Sequence, residues 1–217
     1  MRNHKEEIAF LETNRYLYQN PLTGLVHRMG HRLVQQLIST PRGKLIDLGC
    51  GKGDHFPYMA NCNFIGLDND KKLLSLAKKQ YPTANLCHGD IYHLSFADKS
   101  FDGALAIGVL EHLSNLDQAL KEIQRILRPD KELVVLIPTE NYIYKLGRRL
   151  IVKRHIEKKC QVDYNKLVQK EHVNSHQKIV KQLERYFKIT KKIGTPFIVP
   201  IFWLNCFTII QCQNHHL

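Results

Sequence analysis

A run of glycines directly after an apolar strand constrains the fold of this 217-residue chain more than any other feature. Residues 44–48 have the composition of a short strand, and Gly49, Gly51 and Gly53 then occupy every second position. Glycine lets the backbone turn tightly and approach a ligand with no side chain between them. The last two glycines are closer together than in the dinucleotide-binding fingerprint. The run therefore indicates a ligand-binding turn of a different kind.

Strand and helix patterns alternate through the first two thirds of the chain. We predict seven strands, at residues 44–48, 63–67, 84–88, 101–107, 132–137, 186–193 and about 204–211. We predict helices at residues 4–20, 26–38, 71–80 and 116–127, followed by a long basic helical stretch after Pro138. Pro21 and Gly24 are interpreted as a break between the first two helices, and residues 41–43 as a break before the first strand. This alternation predicts an α/β fold with a mostly parallel, doubly wound sheet.

Acidic residues follow three successive predicted strands. Asp47 ends the first strand, Asp68 ends the second and Asp90 follows the third. Ligands of open α/β sheets bind beyond the carboxyl ends of the strands. We therefore expect these carboxylates to surround one crevice, where a carboxylate such as that of Asp68 can accept hydrogen bonds from both hydroxyls of a ribose.

The order of these motifs resembles class I S-adenosylmethionine-dependent methyltransferases of the type 11 domain, the group that includes ubiquinone- and menaquinone-biosynthesis methyltransferases. The matching blocks are residues 47–53, 66–68, 89–90, 101–102, 108–113 and 127–129. The resemblance implies a Rossmann-like, seven-stranded sheet whose last strand runs antiparallel, with helices on both faces. It also implies S-adenosylmethionine as cofactor and S-adenosylhomocysteine as product.

The resemblance assigns cofactor-binding roles to particular residues. Gly49, Gly51 and Gly53 would let the backbone pass close to the methionine part, and Asp47 would anchor the turn or reach the amino group through water. The ribose and adenine would be bound by Asp68, Asn69, Asp90 and Ile91. The far side of the cofactor would be lined by Gly108, Val109 and Leu110.

Two histidines are candidates for a general base, which is needed only where the acceptor must lose a proton. His112 lies after the fourth strand at the rim of the expected crevice, and His172 lies before the helix that precedes the sixth strand. For His112, a role as a helix-start residue is an equally good interpretation. His172 and His176 have the spacing of a metal-binding pair, but no third ligand is evident, so we predict no metal site.

The resemblance implies one methyltransferase domain with four parts. These are an N-terminal helical cap (1–40), a cofactor-binding core (44–138), a basic substrate-side insertion (139–178) and the last strands (179–217). Six cysteines without a CxxC pair, and charged residues throughout positions 1–20, favour a reduced cytoplasmic chain over a disulfide scaffold.

The positive charge is concentrated in one segment. Residues 145–192 hold 15 Lys and Arg against four acidic residues, and thus nearly all of the net charge of +12. Such asymmetry favours contact with an anionic partner, and a solvated basic face is the alternative. Tyr16, Tyr18 and His27 of the cap, and Arg148 and Arg149 of the insertion, are predicted substrate-binding residues.

The acceptor stays open between three hypotheses. The first is a small-molecule or lipid-like acceptor, anionic or presented at the inner membrane surface by peripheral contact. The second is RNA, which the absence of an Asn/Asp-Pro-Pro-Tyr run after strand four disfavours. The third is a cofactor-binding protein without catalysis. Under each hypothesis we expect a monomer or a homodimer. The apolar run 197–210, which Pro200 interrupts, is interpreted as a loop plus a buried strand, with a membrane-touching loop as the alternative.

Overall fold

The computed structural model describes residues 3–38, 43–199 and 201–214. Pro41, Arg42 and Pro200, which the sequence pattern interprets as breaks, lie outside these residues. Within the described part of the chain, no helix has both the length and the apolar character needed to cross a membrane.

Seven strands form a single sheet in the order β3-β2-β1-β4-β5-β7-β6. Their bounds are β1 Lys44–Leu48, β2 Asn63–Asp68, β3 Asn85–His88, β4 Phe101–Ile107, β5 Leu127–Pro138, β6 Phe187–Thr195 and β7 Phe207–Asn214. The first five strands run parallel to one another, and β7 is antiparallel to both β5 and β6. The predicted fold class and the antiparallel last strand are therefore confirmed.

The helices bring the chain back across the sheet and also form a cap. Their bounds are α1 His4–Gln19, α2 Pro21–Gln36, α3 Lys71–Gln80, α4 Leu116–Ile126, α5 Tyr142–Gly147, α6 Arg154–Cys160, α7 Tyr164–Glu171 and α8 His176–Tyr186. Residues Arg148–Lys153 continue α5 into α6 as a π-helical segment. Between β1 and β2 there is only a short 3-10 helix, Phe56–Met59.

Helices cover both faces of the sheet because apolar residues of the strands point in both directions. On β1, Leu45 packs in the cluster that includes Val34 of α2. Its neighbour Ile46 packs in the cluster that contains Ile123 of α4 and Leu183 of α8. Consecutive side chains of a strand point to opposite faces, so β1 is buried on both sides, as expected for a central parallel strand.

The break predicted between the first two helices exists, but it lies at Asn20, because α1 ends at Gln19 and α2 begins at Pro21. Asn20 caps the helix, with its side chain accepting from the backbone N–H groups of Leu22 and Thr23. Proline is well suited to the first helical position, where its missing N–H would have no partner. Gly24 lies inside α2, where a Cβ would come within 2.4 Å of the Tyr18 carbonyl oxygen. The glycine therefore lets the end of α1 pack closely against α2.

The N-terminal helix packs against the basic insertion. Ala9 of α1 shares a buried cluster with Val152, Ile156 and residues of α7. Two ion pairs, Lys159–Glu12 at 2.6 Å and Lys170–Glu6 at 2.7 Å, join the same elements. Part of the basic charge of the insertion is thus paired with acidic residues of α1.

Candidate active site

A cavity of about 570 Å³ lies at the carboxyl ends of the parallel strands. We call its two sides the strand-end wall and the helical wall. The strand-end wall comprises Asp47, Gly49, Gly51, Asp68, Asn69, Asp90, Ile91, Gly108 and Val109. The helical wall comprises Tyr18, His27, His112, Arg148 and His172. The fold thus brings most of the predicted site residues into one cavity.

The glycine turn brings backbone to the surface of the strand-end wall. Gly49 has a φ of +69°, and a Cβ there would lie 2.4 Å from a methyl carbon of Val109. Gly51 has a φ of +56°, but a Cβ there would meet no atom within 4 Å. Gly49 is therefore required for packing inside the wall, whereas Gly51 borders open space in the cavity.

Gly53 has a structural role in the turn. Its φ is +85°, and a Cβ would come within 2.7 Å of the Phe56 ring. It does not line the cavity, in contrast to the other two glycines of the run. The absence of a side chain at Gly53 therefore allows the Phe56 ring to pack against the turn.

Asp68 is fixed at the end of β2 by the glycine turn. One carboxylate oxygen accepts from the Gly51 N–H at 2.7 Å, and the other accepts from the Asp70 N–H at 2.9 Å. Burial raises the pKa of Asp68, and these backbone hydrogen bonds partly oppose that rise. Each oxygen retains a further lone pair, so the carboxylate can still accept hydrogen bonds from hydroxyl groups in the cavity.

Asp47 lies deeper in the same wall, at the end of β1. Burial, together with the negative charge of Asp68, raises the pKa of Asp47 to about 8. The group is therefore a neutral acid near pH 7, and a positive charge placed beside it would favour its ionisation.

The remaining strand-end residues form the outer part of this wall. Asp90 is exposed, and its side chain accepts from the Tyr92 N–H at 2.9 Å. Asn69 lies beside Asp68, and its carbonyl oxygen is 3.2 Å from a ring nitrogen of His88. Gly108 has a φ of +64°. Leu110 does not line the cavity, because its side chain is fully buried in the core.

The two candidate bases are neighbours on the helical wall. Their rings meet edge to face with centroids 5.0 Å apart. Nδ1 of His112 lies 2.8 Å from the carbonyl oxygen of Glu171, and Nδ1 of His172 is hydrogen-bonded to the carboxylate of Glu140. An Nδ1–H that donates to an oxygen leaves Nε2 as the proton-accepting nitrogen of a neutral imidazole.

Glu140 is the orienting partner of His172. Burial disfavours its charge, but the hydrogen bond from His172 and the positive charge of Arg148 outweigh this effect and lower the pKa of Glu140. A histidine held by an ionised carboxylate has the arrangement found in base–orienter pairs of catalytic sites.

Arg148 places a largely buried positive charge in the helical wall. Its Nε and one Nη donate to the Tyr164 hydroxyl at 3.0 and 2.8 Å, and the guanidinium lies over the rings of Tyr144 and Tyr164. Burial disfavours the charge, but the two tyrosines outweigh this effect, so the pKa of Arg148 lies above its usual value. Its hydrogen-bond partners are tyrosine hydroxyls, and the charge of Glu140 also raises the pKa of Arg148, so the guanidinium and this carboxylate interact within the helical wall. Its position in a π-helical segment is one that recurs at functional sites.

The structure separates the predicted substrate-binding residues into two groups. Tyr18, His27 and Arg148 line the cavity. Tyr16 instead stacks on His155 with centroids 4.0 Å apart, and Arg149 is exposed. The structure does not bring Tyr16 or Arg149 to the cavity.

A chain of hydrogen bonds that the sequence analysis missed begins at Tyr18. Its hydroxyl lies 2.6 Å from Nε2 of His31, and Nδ1 of His31 lies 2.8 Å from Nδ1 of His55. Burial lowers the pKa of both histidines to about 3, so both are neutral near pH 7. Tyr18, His31 and His55 all line the cavity. No motif signals this contact, since the three residues come from α1, α2 and the glycine turn.

Glu111 is a second site residue that the sequence analysis missed. It lines the cavity, and within the described part of the chain its buried Oε2 has no hydrogen-bond partner. Burial raises its pKa. The signal was present, because Glu111 lies inside the block 108–113, but a glutamate within an apolar turn does not by itself indicate burial.

The central part of the chain is similar to known proteins. Residues 46–135 match the model of the family described as a methyltransferase domain. The chain is 40% identical over 116 residues to a demethylmenaquinone methyltransferase of Lactobacillus johnsonii, a match that covers 47% of each protein. It is 30% identical over 131 residues to the probable tRNA methyltransferase 9B of Homo sapiens, covering 58% of this chain and 26% of that protein. The chain thus matches half or less of the length of these curated relatives.

A solved structure shares the fold over nearly the whole chain. The N-methyltransferase NodS from Bradyrhizobium japonicum, in complex with S-adenosyl-L-homocysteine, aligns with a TM-score of 0.65 at 15% identity. The alignment covers 96% of this chain and 99% of NodS, and at this identity it shows the fold alone. The matches in sequence confirm the resemblance to methyltransferases that the motifs predicted, and the alignment with NodS confirms the fold that this resemblance implies.

Proposed function

We propose that the chain, whose residues 46–135 match the methyltransferase-domain family, transfers a methyl group from S-adenosylmethionine to a small-molecule or lipid-like acceptor. One observation carries the proposal: a single cavity holds the glycine turn and Asp68 on one wall and His172 and Arg148 on the other. A methyl donor and an acceptor can therefore be held side by side.

The strand-end wall fits this cofactor. S-adenosylmethionine supplies a methyl group on a positively charged sulfur, with a neutral leaving group. The open space beside Gly51 admits a ligand close to the backbone, and Asp68 retains lone pairs for ribose hydroxyls. Asp47, the neutral acid at the base of this wall, becomes a favourable counter-ion when a cationic group binds nearby.

The helical wall would align the acceptor and take its proton. Alignment of two reactants can lower a barrier by about 7–11 kcal/mol. Nε2 of His172 would accept the proton of a hydroxyl or phenol, while Glu140 holds Nδ1–H and stabilises the imidazolium that forms. The ring of His112, whose centroid lies 5.0 Å from that of His172, would support the same proton transfer. Arg148 would bind an anionic group of the acceptor between Tyr144 and Tyr164.

The acceptor is tested by incubating the chain with labelled S-adenosylmethionine and fractionated cell extract. We expect label in the fraction of small molecules or extractable lipids, and no transfer by Asp68→Ala at cofactor concentrations that saturate the native chain. Label in transfer RNA instead would show that the acceptor is RNA, while methyl transfer would stand as the reaction. Saturable cofactor binding without transfer to any fraction would contradict an enzymatic function.

A further inference from the structure

The surface that joins α5 to the loop before β7 exposes large apolar side chains. Phe197, Ile198 and Trp203 of the loop are 59%, 58% and 64% exposed. On α5 and the π-helical segment after it, Tyr142 and Leu150 are 78% and 70% exposed. Helix α5 lies against residues Phe202–Leu204 of this loop, and exposed apolar patches mark interaction sites in folded proteins.

Hydrogen bonds fix the residues of this loop that the structure describes. The Asn205 side chain is buried and donates to the carbonyl oxygens of Val199 and Ile201 at 2.8 and 3.0 Å, while it accepts from the Phe197 N–H at 2.9 Å. The Asn205 carbonyl oxygen accepts from Asn141, the N-cap of α5, at 2.7 Å. One buried asparagine therefore fixes both the shape of the loop and its attachment to α5.

The backbone conformation of Ile198 is unfavourable for its side chain. Its φ is +58°, in the left-handed region that β-branched residues rarely adopt. A glycine or asparagine would be more favourable for the fold at this position. An isoleucine that is both strained and exposed is better explained by an external contact than by stability.

The charges around this surface define what it can bind. Residues 141–156 contain Lys145, Arg148, Arg149, Lys153 and Arg154 and no acidic residue, and residues 196–206 contain no charged residue at all. Lys145, Arg149 and Arg154 are exposed. Aromatic and aliphatic side chains beside basic residues are the combination that binds the interface of an anionic membrane.

We propose that this surface, which we call the α5–loop surface, binds an anionic phospholipid membrane. Phe197, Ile198 and Trp203 enter the headgroup region, while Lys145 and Arg149 contact lipid phosphates. Tyr144 and Arg148 of the same helical segment line the cavity, so the membrane lies next to the helical wall. This placement gives a lipid-like acceptor a short path into the site.

The test uses Trp203, the single tryptophan of the chain, as an intrinsic probe. With full-length chain and vesicles of phosphatidylglycerol and phosphatidylcholine, we expect a blue shift of the Trp203 emission, quenching by brominated acyl chains and co-sedimentation. Vesicles of phosphatidylcholine alone should give weaker effects. No shift and no co-sedimentation with anionic vesicles would overturn the proposal. A blue shift that depends on protein concentration without lipid would assign the surface to a second copy of the chain and also overturn it.

Variants separate the apolar from the electrostatic contribution and retain the probe. Phe197→Ser with Ile198→Asn should lower vesicle partitioning by roughly tenfold for each side chain removed. Asn tolerates the left-handed conformation, so the loop is expected to keep its fold. Lys145→Glu with Arg149→Glu should lower partitioning by at least about fivefold per residue, and added salt should have a similar effect.

Matched controls lie on α3, which packs at the opposite edge of the sheet. Leu76→Ser and the pair Lys71→Glu with Lys79→Glu also change exposed side chains and should leave partitioning unchanged. Equal losses with the controls and with the α5–loop variants would overturn the assignment of this surface. Membrane binding is measured without cofactor or acceptor, so its failure is distinguishable from failure of the methyl-transfer proposal.

Discussion

The strand-end wall is built mainly from backbone and carboxylates that follow strands, whereas the helical wall is built from side chains of five separate segments. Gly49, Asp47 and Asp68 are placed by strands paired in one sheet. Tyr18, Arg148 and His172 come from α1, the π-helical segment and the end of α7. The first wall depends on a local turn motif and the second on tertiary packing. We therefore expect substitutions in the two walls to have different consequences.

The largest effect is expected at the helical wall. His172→Asn should lower the methyl-transfer rate by about 10²–10⁴-fold and leave cofactor affinity unchanged, because only proton transfer is lost. The measurements are single-turnover kinetics and calorimetric titration of the cofactor. His93→Asn, at an exposed histidine outside the cavity, is the control. An unchanged rate in His172→Asn and in His112→Asn would show that the wall only positions the acceptor.

The next largest effect is a difference in stability between variants of two glycines of the strand-end wall. Gly49→Ala forces a methyl group against Val109 at a left-handed residue, so we expect a loss of about 3 kcal/mol in the free energy of unfolding. Gly51→Ala has the same backbone conformation but open space, so it should lose about 1–2 kcal/mol. Its methyl group would enter the cavity, so cofactor affinity should fall.

Gly147→Ala is the control for this pair. Gly147 lies in a helix where a Cβ would meet no atom within 4 Å, so its substitution should stabilise the chain by about 0.5–1 kcal/mol. Urea denaturation of the three variants tests the ranking. Equal stability of Gly49→Ala and Gly51→Ala would contradict the close approach at Val109.

The buried acid of the strand-end wall gives a pH effect of known sign. With a pKa of about 8 in the folded state against 3.8 in the unfolded state, Asp47 holds a proton only in the folded state between these values. Its contribution to stability therefore decreases as the pH rises from about 4 to 8, by at most about 1.4 kcal/mol per pH unit. Asp47→Asn removes this dependence.

The comparison between Asp47→Asn and the native chain isolates this group. His31 and His55 have the opposite effect. Both are neutral in the folded protein, so the stability of the folded state decreases as the pH falls below about 6.5, where these histidines gain a proton on unfolding. Both proteins contain these histidines, so their contribution cancels in the difference. In denaturation experiments from pH 5 to 8, the free energy of unfolding of the variant should rise relative to that of the native chain as the pH rises. A constant difference would contradict the raised pKa of Asp47.

The smallest effect concerns the arginine of the helical wall. Arg148→Lys loses the two-nitrogen contact with the Tyr164 hydroxyl, so it should cost about 1 kcal/mol of stability and raise the KM for an anionic acceptor severalfold. Arg149→Lys, one residue along and exposed, should stay within about 0.5 kcal/mol. Equal KM values for both variants would argue against an anion site at Arg148.

The alternation of strands and helices was predictable because short apolar runs, such as that of β5, are separated by stretches with helical periodicity. β1, β4 and α3 have the predicted bounds, whereas β5 begins at Leu127 instead of residue 132. The early start follows from pairing of Leu127 with Phe101 across a register shift in β4, which no local pattern indicates. Pro21 was misinterpreted because proline begins helices as well as interrupting them.

The sequence by itself determined the strand-end wall, since a glycine turn and an acid at the end of a strand are specified within a few residues of the chain. Gly53 shows the limit of that information, because its spacing matches the turn but its contacts are with Phe56. The tertiary structure decided the helical wall. The partnership of His172 with Glu140, the chain from Tyr18 through His31 to His55 and the separation of Arg148 from Arg149 depend on long-range packing. Sequence spacing does not encode such contacts, because they form only when α1 and the basic insertion close over the strand ends.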